Sequence, residues 1–375
     1  MKKRALCLQG GGAKGAFQAG ALKALTERGY RFDCAIGASV GSLNAALVCL
    51  GKTDLLYQVW QDLDFSDVLP IERNADGGLS LRSIASAAIG AIRSSGVDTS
   101  RIRRILEKYV DEDALRASDI RFGLVTVKAE GKERTLRKMF IEDIPKGRVI
   151  DYMMASAALP FFQKVEIDGV RYLDGGMMDN LPIEMLATAG YRDIVAIRLG
   201  GDIRYATSKP VKIEYIDPSE SAGHTINFSN AAINRSLQLG YFDTLRKLDG
   251  LFGERYYIKP FKMRAIRRFL KGKKALVADL LAENGARVGG TLRKRVSVLT
   301  YALAGYLGVK GEEVAVWTAL AELVAKQSGM NRWHIYSIEE LLGSAKRLPA
   351  DKKDDKEGEG TRKALSLARA LVKEE

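Results

Sequence analysis

The first fifty residues alternate between short apolar runs and longer segments in which apolar side chains recur every three to four positions. This pattern predicts strands at residues 4–9 and 32–38, each followed by a helix, at residues 13–28 and 40–50. Strands that alternate with helices through short connections pair in parallel. We therefore predict an α/β layered fold with a mainly parallel central sheet.

Beyond residue 54 the pattern is less regular, and turns are predicted at residues 74–79 and 94–96. After residue 262 helical segments such as 313–326 dominate. We predict an enzyme domain over residues 1–262 and a helical C-terminal region over 263–375, with a charged linker near 351–360. Further strands are predicted at 122–127, 165–167, 170–173 and 194–199, and further helices at 149–158 and 231–248.

The composition is that of a globular protein, with 46% hydrophobic and 28% charged residues. A net charge of +13 favours anionic partners, either nucleic acid or a negatively charged membrane, with a solvated basic surface as the alternative. The three cysteines are an odd number without a CxxC pair, which predicts buried free thiols and a reducing compartment.

The N-terminal segment MKKRALCLQGGG has too few apolar residues for a secretory signal. No window approaches the ~18 apolar residues that a membrane-spanning helix needs. We expect a cytoplasmic protein, with peripheral contact to a membrane as an open hypothesis.

A glycine-rich loop, Gly10–Gly15, follows the first predicted strand and opens a helix. It matches GxGxxG, and Asp33 lies near the position of a ribose-binding acid, so dinucleotide binding is one interpretation. The N–H groups of such a loop bind a phosphate or the oxyanion of an acyl-transfer intermediate equally well. Asp33 precedes the second strand instead of ending it, which counts against a nucleotide.

The pentapeptide GASVG, Gly37–Gly41, matches GxSxG at a predicted strand-to-helix turn. Glycine on either side of the serine relieves crowding in so sharp a turn and exposes the hydroxyl. We predict Ser39 as a nucleophile. Ser42 is the alternative, but it lies one turn into the helix and is better explained as a packing or surface hydroxyl.

A nucleophilic serine needs a base, and the chain has only two histidines, His224 and His334. A triad with His224 stays open. The other candidate is Asp174, which follows a predicted strand and precedes two glycines, so that its carboxylate can project into a cleft. Asp179 is the competing acid.

Together these segments resemble the patatin-like phospholipases, whose glycine-rich loop, GxSxG turn and Asp-Gly-Gly turn occur here in order at Gly10–Gly15, Gly37–Gly41 and Asp174–Gly176. The similarity extends to the ASAALP segment at 155–160 and to Asn180-Leu181-Pro182. The resemblance implies a three-layer α/β/α domain and hydrolysis of lipid acyl esters.

The resemblance also implies a dyad of Ser39 and Asp174 that needs no histidine. The N–H groups of Gly10, Gly11 and Gly12 would then hold the oxyanion. Water would deacylate the enzyme with Asp174 as base. No cofactor is expected, and no residue cluster has the spacing of a metal site.

Lys14 occupies the basic position of the family's loop. It is a candidate auxiliary residue, with a surface lysine as the alternative. Val40, Ser42 and Asp179 depart from the residues expected near the motifs. Because no catalytic group is missing, we predict an active enzyme.

The segment 259–274 (KPFKMRAIRRFLKGKK) carries eight cations and no acid, with apolar residues interleaved at near-helical spacing. One interpretation is a helix lying on an anionic bilayer. The other is a helix that packs within the protein and leaves a solvated basic face. Nucleic acid is not expected as a partner, because no recognition module matches.

Three hypotheses follow for function. The first is a serine lipid acyl hydrolase of the phospholipase A or lysophospholipase type, acting through Ser39 and Asp174. The second is a nucleotide-binding oxidoreductase that uses the GxGxxG loop. The third is an inactive pseudoenzyme that binds lipid.

Overall fold

The computed structural model describes residues 3–62, 98–159, 162–201, 207–283, 285–286, 288–349 and 358–372. The chain divides into two compact units, Met1–Thr244 and Leu245–Glu375, which are treated separately below. The turns predicted at 74–79 and 94–96 lie outside the described residues. So does the predicted linker at 351–360 except for its last three positions, two of which belong to the final helix.

A mixed, mostly parallel sheet of eight strands forms the centre of the first unit, in the order β5-β6-β3-β2-β1-β7-β8 with β4 on the free edge of β3. Strands β3, β2, β1, β7 and β8 run parallel, and β4, β5 and β6 are antiparallel to their neighbours. The strands are β1 Arg4–Leu8, β2 Cys34–Ala38, β3 Arg121–Glu130, β4 Glu133–Phe140, β5 Val165–Ile167, β6 Val170–Asp174, β7 Asp193–Ile197 and β8 Lys212–Ile216.

Helices flank this sheet, and the predicted α/β layered fold is confirmed. Every residue of β2 is buried, as expected of a parallel strand with both faces covered. The described helices that begin in the first unit are α1 Gly15–Glu27, α2 Val40–Cys49, α3 Thr53–Asp62, α4 Ser100–Tyr109, α5 Glu112–Arg116, α6 Val149–Ser156, α7 Ile183–Thr188 and α8 Asn230–Asp249. The last five residues of α8 belong to the second unit.

Strand β3 brings two other strands end to end. One edge of β3 pairs with β4, and the other edge pairs first with β2 and then with β6. In this register Ala38 lies opposite Val125, and Asp174 lies opposite the next residue, Thr126. Because β2 and β6 run in opposite directions, their carboxyl ends meet on β3. Whatever follows β2 is therefore placed beside the end of β6.

The second unit is helical around a core that includes the fully buried Trp317. A two-stranded parallel sheet joins β9 to β10. The described helices and strands of the second unit are β9 Tyr257–Ile258, α9 Met263–Phe269, α10 Lys274–Glu283, α11 Leu292–Leu307, α12 Glu313–Gln327, β10 Ile335–Tyr336, α13 Ile338–Gly343 and α14 Glu359–Val372.

The division between the units falls at Thr244, ahead of the boundary predicted at residue 262. The reason lies in residues 245–262, which belong to the second unit. Tyr256 and Ile258 are buried in the helical core, and β9 pairs with β10 of the same unit. The two-residue strand is too short to show a periodicity in the sequence, so the connection looked like a continuation of the first domain.

The apolar side chains of the basic segment 259–274 are used in packing. Ile266 and Leu270 are buried in the core of the second unit, and Phe261 and Phe269 pack against it. The hypothesis that this apolar face dips into a bilayer is therefore wrong for the folded unit. The alternative of a packing helix with an exposed basic face agrees with the structure.

The three cysteines, Cys7, Cys34 and Cys49, are buried and free. Burial raises the pKa of each thiol, that of Cys34 to about 12, so all three are neutral and unreactive near pH 7. Within the described residues no helix is both long and apolar enough to cross a membrane. In the same part of the chain no group of three or more His, Cys, Asp or Glu side chains is placed to hold a metal ion.

Candidate active site

Ser39 occupies a sharp turn between β2 and α2, with φ at 51°. This left-handed conformation costs a non-glycine residue ~1–3 kcal/mol. The two flanking glycines make the turn possible. A Cβ on Gly37 would lie 2.2 Å from the carbonyl carbon of Gly41, and a Cβ on Gly41 would lie 2.4 Å from the Leu8 carbonyl oxygen. The turn therefore has the geometry that the GxSxG pattern predicts.

Buried serines hold this turn in place. The Ser39 N–H donates to Ser156 Oγ at 3.0 Å, and the Ser156 hydroxyl donates to the Val125 carbonyl at 2.7 Å. The Ser42 hydroxyl is fully buried and donates to the Ser39 carbonyl at 2.6 Å. Ser42 therefore supports the turn and is not a competing nucleophile.

Asp174 ends β6 and is almost completely buried beside Ser39. Burial raises the pKa of its carboxyl to about 6, although the nearby Ser39 hydroxyl and a hydrogen bond from the Gly176 N–H favour the ionised form. Such a group is ionised at pH 7 and still takes up a proton readily. This balance suits a general base.

The two carboxylate oxygens of Asp174 differ. Oδ1 accepts the Gly176 N–H at 2.7 Å. Oδ2 is buried and meets no donor at strict hydrogen-bond geometry among the described residues. The Ser39 hydroxyl is thus close enough to influence the carboxylate without a well-aligned bond to Oδ2. Catalytic pairs are often arranged this way before substrate binds.

The competing acid, Asp179, has a different partner. Its Oδ2 lies 3.3 Å from Nζ of Lys138 on β4. This pair is structural, because it ties the segment after the Asp174 turn to the neighbouring strand.

The histidines do not complete a triad. His224 is exposed, and its side chain makes no hydrogen bond with any residue that the structure describes. His334 lies in the second unit, where its ring packs against Tyr336 at 4.6 Å between centroids. The hypothesis of a triad with His224 therefore has no support in the geometry.

The glycine-rich loop lies beside Ser39, since a Cβ on Gly10 would be 3.2 Å from Ser39 Cβ. Asn180 clamps it: the Gly10 N–H donates to the Asn180 carbonyl at 3.1 Å, and Asn180 Nδ2 donates to the Gly10 carbonyl at 3.2 Å. The prediction that Gly10 offers its N–H to the oxyanion is wrong for this conformation. The N–H groups of Gly11 and Gly12 make no hydrogen bond within the described chain and stay available.

The rest of the loop is tied down by its backbone. Gly12 has φ at +57°, and a Cβ there would lie 2.3 Å from the Thr225 carbonyl oxygen. That carbonyl accepts the Ala13 N–H at 2.8 Å. The Lys14 N–H donates to the Gly11 carbonyl at 3.3 Å, while the half-buried Lys14 side chain has no hydrogen bond or ion pair with a described residue. An auxiliary role for Lys14 stays a prediction.

The position of Asp33 disagrees with dinucleotide binding. Its carboxylate accepts the Arg4 N–H at 2.7 Å, at the amino end of β2. The glycine-rich loop follows the carboxyl end of β1, which runs parallel to β2. A five-residue strand, about 16 Å long, separates the two ends. Asp33 therefore cannot reach a nucleotide held by the loop.

Comparison with known proteins identifies the family of the domain that holds Ser39 and Asp174. Residues 6–187 match the family model of the patatin-like phospholipases. This region is a patatin-like phospholipase domain. No curated protein matches the chain.

Solved structures with similarity to the chain include VipD from Legionella pneumophila, with 15% sequence identity, 99% of this chain and 92% of that chain covered, and a TM-score of 0.38. The type III effector ExoU has 16% identity, 98% and 77% coverage and a TM-score of 0.35. Its complex with SpcU from Pseudomonas aeruginosa gives 16% identity, 98% and 74% coverage and a TM-score of 0.30.

An apolar cavity of ≈ 110 Å³ opens beside Ser39 in the patatin-like domain. This space is several times what one water needs. Its described lining comes mainly from α2, α3 and α4, including Leu43, Leu47, Leu56 and Ile105. Such a lining accepts a hydrocarbon chain and has few groups to hold a polar one.

A chain of buried amides runs from the cavity wall of the patatin-like domain to the glycine-rich loop. Trp60 Nε1 donates to Asn44 Oδ1 at 3.0 Å, and Asn44 Nδ2 donates to Gln18 Oε1 at 2.8 Å. Gln18 Nε2 then donates to the Gln9 carbonyl at 2.6 Å. The Gln9 side chain in turn accepts the Leu199 N–H at 2.6 Å. Gln9 directly precedes Gly10, so this chain fixes the start of the loop.

Sequence reasoning did not assign roles to Ser156, Asn180, Gln18 and Asn44. The first two lie in the ASAALP and Asn-Leu-Pro segments, which the family resemblance had already marked. Gln18 and Asn44 are polar residues among the buried positions of α1 and α2. A buried polar side chain needs a partner, and that was the available signal.

Proposed function

We propose that the protein is a serine lipid acyl hydrolase of the phospholipase A or lysophospholipase type, with Ser39 as nucleophile and Asp174 as base. The observation that carries this proposal is the buried Asp174 carboxylate beside a serine on a strained turn. A chain of contacts around the turn fixes its geometry, and a family of phospholipases shares the domain.

In the acylation step, Ser39 Oγ attacks the ester carbonyl carbon while Asp174 takes the hydroxyl proton. A Ser39–acyl bond forms, and the negative charge moves onto the former carbonyl oxygen. The N–H groups of Gly11 and Gly12 stabilise this oxyanion, in a reduced form of the predicted Gly10–Gly12 hole. Collapse breaks the ester C–O bond, and the proton on Asp174 passes to the leaving alcohol.

In the deacylation step, water attacks the acyl-Ser39 carbonyl and gives a proton to the Asp174 carboxylate. The same two N–H groups hold the second oxyanion. Collapse returns the proton to Ser39 Oγ and releases a fatty acid. The groups named here suffice for both steps.

The cavity favours a long acyl chain as the group attached to Ser39. Burial of apolar surface stabilises each buried methylene by about 0.8 kcal/mol. An ester with a chain that fills the cavity should therefore react with a higher kcat/KM than its acetyl counterpart. This preference supports a lipid over a small polar ester.

The test is labelling with a fluorophosphonate probe, with hydrolysis of a p-nitrophenyl ester in parallel, for wild type, Ser39→Ala and Asp174→Asn. We expect labelled, active wild type, no labelling of Ser39→Ala and a loss of turnover of at least a hundredfold in both variants. Ser42→Ala is the matched control, because it removes a neighbouring hydroxyl and should leave Ser39 labelled.

Other outcomes favour the other hypotheses. A wild-type protein that binds vesicles but never labels would be a lipid-binding pseudoenzyme. Cofactor absorbance in the purified protein would support the hypothesis of an oxidoreductase. The position of Asp33 counts against that hypothesis. Full turnover in Asp174→Asn would show that another group is the base.

A further inference from the structure

Exposed hydrophobic side chains are few in the part of the chain that the structure describes. The large ones are Met177, Met178 and Tyr301, with 57%, 53% and 84% of their surface exposed. A single exposed hydrophobic residue is ordinary. Two consecutive ones are not, and this pair follows the turn that carries Asp174. Exposed apolar surface beside a functional site marks an interaction surface.

The exposure of the methionine pair results from a fixed backbone. The N–H groups of Met178 and Asp179 both donate to the Gly175 carbonyl, at 3.1 and 3.0 Å. A Cβ on Gly175 would lie 2.2 Å from a carbonyl of β3, so the turn rests directly on the sheet. Met177 comes three positions after Asp174, and three positions of extended chain reach at most about 11 Å. Whatever covers the methionines therefore comes close to the catalytic base.

Cations lie along β4, the strand on the far edge of β3 from this turn. Arg137 is opposite Thr126, whose other edge pairs with Asp174, so the three are side by side across about 10 Å of sheet. Arg137 is exposed and has no ion pair within the described chain. Its neighbour Lys138 lies against Asp179. An apolar pair beside cations is typical of surfaces that meet a bilayer, where phosphates lie above the acyl chains.

We propose that Met177 and Met178 dock the patatin-like domain on the surface of a phospholipid bilayer, from which Ser39 and Asp174 draw their substrate. The proposal rests on the lipid hydrolase function argued above. Docking brings the Asp174 turn to the bilayer surface, and it raises the local concentration of ester at the site without changing the chemical step.

Binding is tested in the Ser39→Ala background, which leaves the vesicles intact. With Met178→Trp added, vesicles of brominated phosphatidylcholine should quench a larger share of the tryptophan fluorescence than they quench in the Ser39→Ala parent. Met177→Ser/Met178→Ser should bind plain phosphatidylcholine vesicles about tenfold more weakly, because the free energy from burying the exposed half of each methionine side chain is lost. Tyr301→Ser is the matched control and should bind like the parent.

Turnover separates docking from catalysis. For the double serine variant in the active background, we expect a loss on vesicles at least tenfold larger than any loss on a soluble p-nitrophenyl butyrate, and recovery at high lipid concentration. A wild type inactive on every ester would overturn the hydrolase function, while the binding data would still decide docking. Unquenched tryptophan together with unchanged vesicle binding would overturn docking and make the pair a contact for a protein.

Discussion

At the residue scale, the raised pKa of Asp174 sets the pH range in which we expect the proposed Ser39–Asp174 pair to act. Burial holds this pKa at about 6, above the ordinary 3.8 of an aspartate. The base must be ionised to accept the Ser39 proton, and protonation removes it as pH falls. We therefore expect kcat/KM on a soluble ester to be constant above about pH 7 and to decline tenfold per pH unit well below 6.

The measurement is a pH profile of kcat/KM, with fluorophosphonate labelling rates as a second readout of the same proton transfer. The two profiles should share a midpoint near 6. Ser42→Ala should keep that midpoint, because the Ser42 hydroxyl points to the backbone of the turn. Activity that stays constant down to pH 4.5 would contradict a buried base.

Single residues also show how far the sequence predicts the site. Ser39 and Asp174 could be predicted because their turns require glycine at fixed positions, and glycine leaves a visible pattern. The occupied N–H of Gly10 could not be predicted, since its partner is the carbonyl of Asn180, 170 positions away. A backbone hydrogen bond of this kind leaves no signal in side-chain identity.

At the scale of elements, the strands inside the sheet and the edge strand β5 were predicted, whereas the edge strands β4 and β8 were missed. The sequence of β2, CAIGA, is wholly apolar and small because helices cover both faces. The sequence of β4, ERTLRKMF, is mostly exposed and has four charged residues, so no apolar alternation marks it as a strand. Edge strands often carry charge for this reason. The charge on β4 follows from its position in the sheet, which only the fold supplies.

The buried amide chain between α1, α2 and α3 gives a prediction at this scale. Gln18→Met keeps the side-chain volume but removes the donor to the Gln9 carbonyl and the acceptor for Asn44. The glycine-rich loop, which we propose holds the oxyanion, then loses its support. Loss of a whole oxyanion donor costs 10²–10³ in kcat, so a displaced loop should cost about 10–100-fold, with KM changed less than threefold.

The control for Gln18→Met is Thr300→Val in the second unit. It removes the acceptor of a buried tryptophan hydrogen bond, Trp317 Nε1 to Thr300 Oγ1 at 2.8 Å. Both variants should lose stability, by roughly 1–3 kcal/mol for a buried group left unpaired. Only Gln18→Met should lose kcat. Equal kcat in the two variants would show that the amide chain serves stability alone.

At the scale of the whole molecule, the net charge of +13 concerns association more than fold. The segment 259–274 carries eight of the chain's lysines and arginines, and its apolar residues pack in the core of the second unit. Its periodicity therefore predicted a helix correctly but could not tell a core from a bilayer, because both select the same apolar face. We still expect the exposed cations to attract an anionic surface, without insertion.

The cations of this segment give the last prediction. Lys262, Arg264 and Arg268 line a cleft with a single acid, Glu339. Changing all three to Gln should weaken binding to phosphatidylserine vesicles about ten- to a hundredfold at low salt, since each cation near an anionic surface contributes about 1 kcal/mol. Binding to neutral vesicles should not change. Sedimentation with both kinds of vesicle measures this difference.

The control removes the same charge from scattered exposed positions of the same unit, Lys294, Lys310 and Lys326. If the local cluster matters, the control should lose much less affinity than the cluster variant. Equal losses would mean that only net charge counts. Salt distinguishes a local cluster from net charge further. At 0.1 M the Debye length is about 10 Å, so distant charges are screened while clustered charges at the surface still act together.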